Sequence, residues 1–117
     1  MHNYKELKVW LKAREFVKFI YKLTTKFPKE EVYGLTSQMR RAAISISSNI
    51  AEGSGHSSNK EFNRFLEISY SSASELETQL ILSFNLEFIL HSELNEGNDR
   101  INEVQKMLNG LMKSLKN

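Results

Sequence analysis

The residues best suited to chemistry lie in one stretch, Arg40 to Gly55, which reads RRAAISISSNIAEGSG. It contains two arginines, four serines, an asparagine and a glutamate, residue types that bind anions or serve as nucleophiles, acids and bases. The glycine-rich end of the stretch leads into another predicted helix, and the N-terminus of a helix favours an anion. This stretch is therefore the first candidate for a functional site.

The spacing of the reactive residues matches no known catalytic or metal-binding motif. The Gly-Ser-Gly loop lacks the spacing and the lysine of a phosphate-binding loop, and the serines of SYSSASELE lie inside a predicted helix with no adjacent base. Glu75 and Glu77 are two positions apart and point to different sides of a helix. The three histidines, His2, His56 and His91, are far apart in the chain. We therefore expect no enzymatic activity, no bound metal and no cofactor.

Basic residues provide the second candidate for a functional surface. Residues 1–29 hold eight Lys and Arg against two Glu, a net charge of +6, whereas the remainder carries −4. This asymmetry is typical either of a polyanion-binding face or of a helix with a solvated basic side. We call six residues the basic stripe: Lys8, Lys12, Arg14, Lys18, Lys22 and Lys26. Arg40 and Arg41 are further candidate contacts for nucleic acid.

Four predicted helices position these residues, because one proline and five glycines leave few interruptions. Apolar residues recur every three or four positions along each helix. We place the helices at about 6–26, 35–52, 59–88 and 92–116. Pro28 ends the first helix, Thr36 is the candidate N-cap of the second, and Gly53 and Gly55 end it. Ser58 followed by Glu61 has the spacing of a capping box.

The pattern predicts one all-α domain over residues 1–117, an antiparallel up-down four-helix bundle, because the loops are short and no strand alternation occurs. No apolar run is long enough for a membrane span, so we expect no membrane association. The chain has no cysteines. That absence excludes disulfides and fits a cytoplasmic protein.

The third helix is apolar on a second side as well as on its core side. Five residues trace this side: Ile68, Glu75, Gln79, Leu82 and Leu86. A helix in an isolated four-helix bundle needs only one buried stripe, so we interpret the second side as an oligomer interface. The alternative is that Leu82 and Leu86 are single exposed apolar residues, which are common.

The second helix divides into an apolar seam and a polar seam. The polar seam alternates steps of three and four residues and consists of Gln38, Arg41, Ser45, Ser48 and Glu52. Its small serines favour close approach by another backbone. Asn49, at the edge of the apolar seam, is expected to be hydrogen-bonded and to fix the packing register. We therefore interpret Asn49 and Glu52 as structural polar residues rather than catalytic ones.

Five segments carry a family resemblance: YKELKVW, KFPKEEVYGLTSQMRRAAISISSNIAEGSG, KEFNRFLEIS, SELETQL and KMLNGLMKSLK. In this order they resemble the four-helix bundle proteins encoded in intervening sequences of bacterial large-subunit rRNA genes, over nearly the whole chain. Ser47 stands where that family usually has proline, and serine permits a straighter second helix. The resemblance implies a ring-like homopentamer. The chain is also similar to the accessory protein of diversity-generating retroelements, a basic pentamer that binds nucleic acid and a reverse transcriptase.

The leading functional hypothesis is a non-enzymatic homo-oligomer that binds RNA or DNA, preferentially structured RNA, through its basic face. The alternative is a scaffolding oligomer whose basic face docks an acidic partner protein such as a polymerase. A bundle that binds a small molecule or a metal is the third hypothesis, and it lacks a ligand set in the sequence.

Overall fold

The computed structural model describes residues 2–116, which form four α-helices. They are α1 (Lys8–Thr24), α2 (Leu35–Ser54), α3 (Asn59–Asn85) and α4 (His91–Ser114). Short 3₁₀ turns at Tyr4–Glu6 and Lys29–Glu31 precede α1 and α2. The described residues contain no strand, so the predicted all-α class is confirmed.

Contacts between helices show that consecutive helices run in opposite directions. The Ser69 hydroxyl donates to the Ile46 carbonyl at 2.8 Å, and the Ser83 hydroxyl approaches Met39 Sδ at 3.4 Å. Residue numbers along α3 therefore increase in the direction in which those along α2 decrease, so the two helices are antiparallel. Each helix packs against the next and α1 also packs against α4, while no Cα atoms of α1 and α3 lie within 8 Å of each other. The result is the predicted four-helix bundle, 45 × 24 × 20 Å.

The core forms where the apolar seams of the four helices meet. In α4 the alternating steps of three and four residues predict a seam that includes Gly97, Ile101, Val104 and Leu108, and these four residues are buried. Helical spacing predicts that Trp10 and Val17 lie on the core side of α1, but both are half-buried and pack against the core from its margin. Val9 and Phe16 are the buried residues there.

Two predictions about the helix ends are wrong. Thr36 does not cap α2, because that helix begins at Leu35 and Thr36 is buried; the Glu31 carboxylate instead accepts the Leu35 N–H at 3.2 Å. The predicted cap of α3 is present, since Glu61 N–H donates to the Ser58 hydroxyl at 3.1 Å. That helix stops at Asn85, three residues before the predicted end. Glu87 then adopts a φ of 65°, which turns the chain towards α4.

Gly53 is a packing residue and not the helix stop that the sequence predicted. It is buried within the last turn of α2. A Cβ atom at this position would lie 2.6 Å from Phe65 Cβ and 3.0 Å from Phe62 Cδ1. Only glycine therefore permits this approach of α2 to α3. Gly97 serves similarly between α4 and α3, where a Cβ would lie 2.6 Å from Leu80 Cδ1.

Replacing Gly53 with alanine tests this close approach. We expect Gly53→Ala to lower the free energy of unfolding by about 1–3 kcal/mol, because the added methyl group must displace α3. Gly110→Ala is the matched control, since a Cβ at Gly110 meets no atom within 4 Å. That change should stabilise α4 by up to about 1 kcal/mol through helix propensity. Urea denaturation measures both values, and equal effects of the two substitutions would contradict the packing role.

Candidate nucleic-acid interface

The structure divides the basic stripe into two parts. Lys12 and Lys26 lie on the side of α1 that faces α4, where each meets a carboxylate. Lys12 Nζ lies 3.5 Å from Glu103 Oε1, and Lys26 Nζ forms an ion pair with Glu93. These two lysines are therefore partly neutralised within the chain.

Glu93 joins the end of α1 to the beginning of α4. Its carboxylate also accepts the backbone N–H of Leu90 at 2.8 Å, which caps α4. Partial burial raises the pKa of Glu93, but the hydrogen bonds from Leu90 and Lys26 and the positive charge of Lys26 outweigh that effect. The pKa of this carboxyl therefore lies below its ordinary value.

A groove of about 740 Å³ runs between α1 and α4 and has mixed charge. Arg100 spans it, with its guanidinium 4.9 Å from the centre of the Phe19 ring and 3.1 Å from the Glu96 carboxylate. Glu15, Glu93 and Glu96 lie among the lysines of the groove. These carboxylates oppose the approach of a phosphate chain along this side of α1.

The remaining stripe residues are exposed to solvent; Lys18 and Lys22 border the α1–α4 groove, whereas Arg14 does not line it. We call Arg14, Lys18 and Lys22 the outer part of the basic stripe; all three are exposed. Lys18 lies 3.7 Å from Glu15 of its own helix, and Arg14 lies over the Trp10 ring at 5.8 Å. Lys8 is also exposed, at the beginning of α1. Within residues 2–116, Lys8, Arg14 and Lys22 have no carboxylate within 4.0 Å.

Arg40 and Arg41 are adjacent in sequence but have different surroundings. Arg40 is half-buried, donates to the Thr24 hydroxyl at 2.9 Å and to the Tyr21 carbonyl at 3.4 Å, and stacks on the Tyr21 ring. It ties α2 to the end of α1. Arg41 is exposed and lines a groove between α2 and α3. The structure thus places only Arg40 beside the basic stripe.

Hydroxyl and amide groups connect α2 to α3 beside Arg41. The hydroxyls of Ser45 and Ser72 are 2.8 Å apart across the two helices. Asn49 is half-buried and donates to the carbonyl and to the hydroxyl of Ser45, at 2.8 and 3.0 Å. Glu52 is exposed at the end of the same polar seam. Asn49 thus contributes to packing through Ser45, while the Glu52 side chain projects to solvent.

Four of the five candidate interface residues are exposed: Ile68, Glu75 and Leu82 on the outer side of α3, and Leu86 directly after its last residue. Gln79 differs from the prediction, because it is only 5% exposed. On the helix it lies two turns after Ser72 and one turn before Ser83, both of which contact α2. Gln79 Nε2 donates to Glu75 at 3.1 Å. Its Oε1 has no partner within the described residues.

Tyr33 is a surface residue that sequence reasoning missed. Its side chain is 94% exposed and lines the α2–α3 groove together with Arg41 and Glu75. Val32, beside it, is also exposed. The available signal was two large apolar residues in the polar loop after Pro28, a place where no helical periodicity requires them.

The part of the chain that the structure describes contains no group of three His, Asp or Glu residues placed to hold a metal ion. Within the same residues, no helix combines the length and apolar character needed to cross a membrane.

Comparison with known proteins agrees with this arrangement of helices. The sequence profile of the 23S rRNA-intervening sequence protein family matches residues 5–110. The chain belongs to this family. Among solved structures it is similar to a protein of unknown function from the S23 ribosomal protein family of Bacteroides thetaiotaomicron, with a TM-score of 0.80 and 28% identity over 90% of this chain and 98% of that one. No curated protein sequence matches the chain.

Glu93→Gln tests the link between α1 and α4. Glutamine keeps an oxygen for the Leu90 N–H but loses the charge that pairs with Lys26, so the free energy of unfolding should fall by about 0.5–1 kcal/mol at neutral pH. The pKa of Glu93 is lowered in the folded protein. The contribution of its charge is therefore complete above the ordinary glutamate pKa and is lost as the pH falls through the lowered value.

Urea denaturation of both proteins from neutral to strongly acidic pH measures this contribution. The stability difference between wild type and Glu93→Gln should shrink on acidification. A difference that stays constant across that range would contradict a role for the charge.

Proposed function

We propose that this family member is a non-enzymatic homo-oligomer, pentameric as the family resemblance implies, that binds nucleic acid through the outer part of the basic stripe. Structured RNA is the proposed ligand. The observation that carries the proposal is the local charge of α1. Arg14, Lys18 and Lys22 are all exposed on α1, and within residues 2–116 none of the three forms an ion pair with a carboxylate of α4.

The binding should be electrostatic and only weakly dependent on base sequence. Lysine and arginine contact phosphates and release bound counterions, whereas base readout needs amides or bidentate groups aimed at base edges. Among the aromatic side chains beside the outer part, Trp10 and Phe19 are half-buried and pack against the core, and the Tyr21 ring is covered on one side by the Arg40 guanidinium at 4.5 Å. A folded RNA, with its high density of phosphates, suits this surface better than an extended single strand, whose bases are bound by stacking on aromatic side chains.

Oligomerisation would raise the affinity of such a surface. Three exposed cations bind phosphates weakly, but a ring repeats them in every copy, and a second contact on the same RNA is then intramolecular. The same surface could instead dock an acidic partner protein, which is the alternative proposal. Retention of a partner after nuclease treatment would favour that alternative.

The double substitution Lys18→Glu/Lys22→Glu tests the proposed surface. We expect it to weaken binding of a short RNA duplex by at least about tenfold at low salt, because two favourable phosphate contacts become repulsive. Raising the salt concentration should weaken the wild-type complex steeply and narrow the gap between the two proteins. Fluorescence anisotropy with labelled duplex at two salt concentrations measures both effects.

Lys106→Glu/Lys113→Glu is the matched control, since both lysines line a separate groove beside Tyr70 and Gly110. It changes the net charge equally and should alter the affinity far less. Binding that is independent of salt, or equal losses in the two double variants, would overturn the proposed surface.

A further inference from the structure

We propose that the face formed by α2 and α3 is the contact between copies of this chain, with Arg41 of one copy paired to Glu75 of another. This inference rests on the oligomer of the proposed function and names the surface that builds it. The α2 half of the face carries Arg41, and the α3 half carries Glu75. A groove of about 520 Å³ separates the two halves.

Two helical seams lie side by side on this face without a covering element. On α3, Ile68, Glu75 and Leu82 are seven residues apart and therefore stand in line along the helix. On α2, the polar seam advances by steps of three and four. Spacing of this kind is typical of helices that pack lengthwise against another helix. In the described chain, α1 and α4 cover other sides of α2 and α3.

The chemistry of the face suits a protein and opposes a nucleic acid. Its apolar residues are large and well exposed: Ile68 by 38%, Leu82 by 45%, Leu86 by 55% and Tyr33 by 94%. Exposed apolar residues gathered on one face mark a site of protein interaction. Glu67 and Glu75 line the α3 half and would repel phosphates.

Charge complementarity makes a second copy the fitting occupant. Arg41 lines the groove and forms no ion pair within residues 2–116. Glu75 lines the same groove, and its one described hydrogen bond comes from Gln79. Arg64, in contrast, is already paired with Glu61 at 3.2 Å. Within the described residues the face therefore offers one cation without an ion pair on its α2 half, Arg41, and carboxylates without an ion pair on its α3 half, Glu67 and Glu75, and these charges are complementary between copies.

Small side chains allow the second copy to come close. Ser45 and Ser72 line the groove, and Ser48 of α2 and Ser71 of α3 are exposed.

Reversal of the two charges tests the pairing. Arg41→Glu and Glu75→Arg should each weaken self-association by at least about tenfold, because each places like charges opposite one another. The double variant Arg41→Glu/Glu75→Arg should restore it. Sedimentation velocity over a range of concentrations measures the mass, and circular dichroism checks that each variant is folded. Lys106→Glu, remote from the face, should leave the mass unchanged.

Mixing the two single variants gives a second readout. A chain with glutamate at both positions and a chain with arginine at both positions repel their own kind but pair with each other, so the mixture should exceed each single variant in mass without closing the proposed ring of five. A ring that alternates two chains needs an even number of members, whereas the double variant restores any ring. Failure of the double variant to associate, with the fold intact, would overturn the pairing.

The same samples separate this inference from the proposed function. A wild-type protein that is monomeric at all concentrations but binds RNA overturns the α2–α3 contact and does not contradict RNA binding by the basic stripe. A protein whose mass follows the charge reversals but which binds no RNA duplex overturns the proposed function alone. If Arg41→Glu weakens RNA binding without changing the mass, the face is a nucleic-acid surface and the inference is wrong.

Discussion

The close approach of α2 and α3 is the constraint on which the rest of the bundle depends. It requires Gly53, where any side chain would collide with Phe62 or Phe65, and it is held by hydrogen bonds of Ser69 and Ser45 across the two helices. With so little space between the two backbones, the outward residues of both helices line one shared groove. The small residues of the Arg40–Gly55 stretch are explained by this packing.

Periodicity predicted the four helices and most of their buried seams, because each helix hides one face and the step of 3.6 residues fixes which residues share that face. The helix ends were harder to predict, since they depend on partners that are not visible locally. At the beginning of α2, the loop carboxylate of Glu31 replaces the expected cap of Thr36. At the end of α2, a glycine is needed at position 53 because Phe62 and Phe65 leave no space for a side chain, and not because the chain turns there.

The stripe on α1 could be predicted from sequence, but its division could not. Lys26 meets Glu93 across 67 positions of the chain, and only the closure of the bundle brings α4 beside α1. The burial of Gln79 is a second feature that could not be predicted from the sequence. A helical wheel places it outside the core, yet it is buried, between two serines of α3 that contact α2. Residues at the margin of a seam are covered or exposed according to how closely the neighbouring helix approaches.

The diagonal arrangement of the bundle keeps the two proposed surfaces compatible. Because no Cα atoms of α1 and α3 lie within 8 Å of each other, the outer sides of these two helices belong to opposite corners of the molecule. Copies joined through α2 and α3 would leave the outer part of the basic stripe exposed in every copy, as binding of one RNA by several copies requires. The carboxylates of α4 then border the cationic surface on one side, and Arg40, tied to Tyr21 and Thr24, borders it on the other. Each copy would thus present a narrow ridge of positive charge rather than a broad basic face, which favours contact with the phosphates of a folded RNA over contact with its bases.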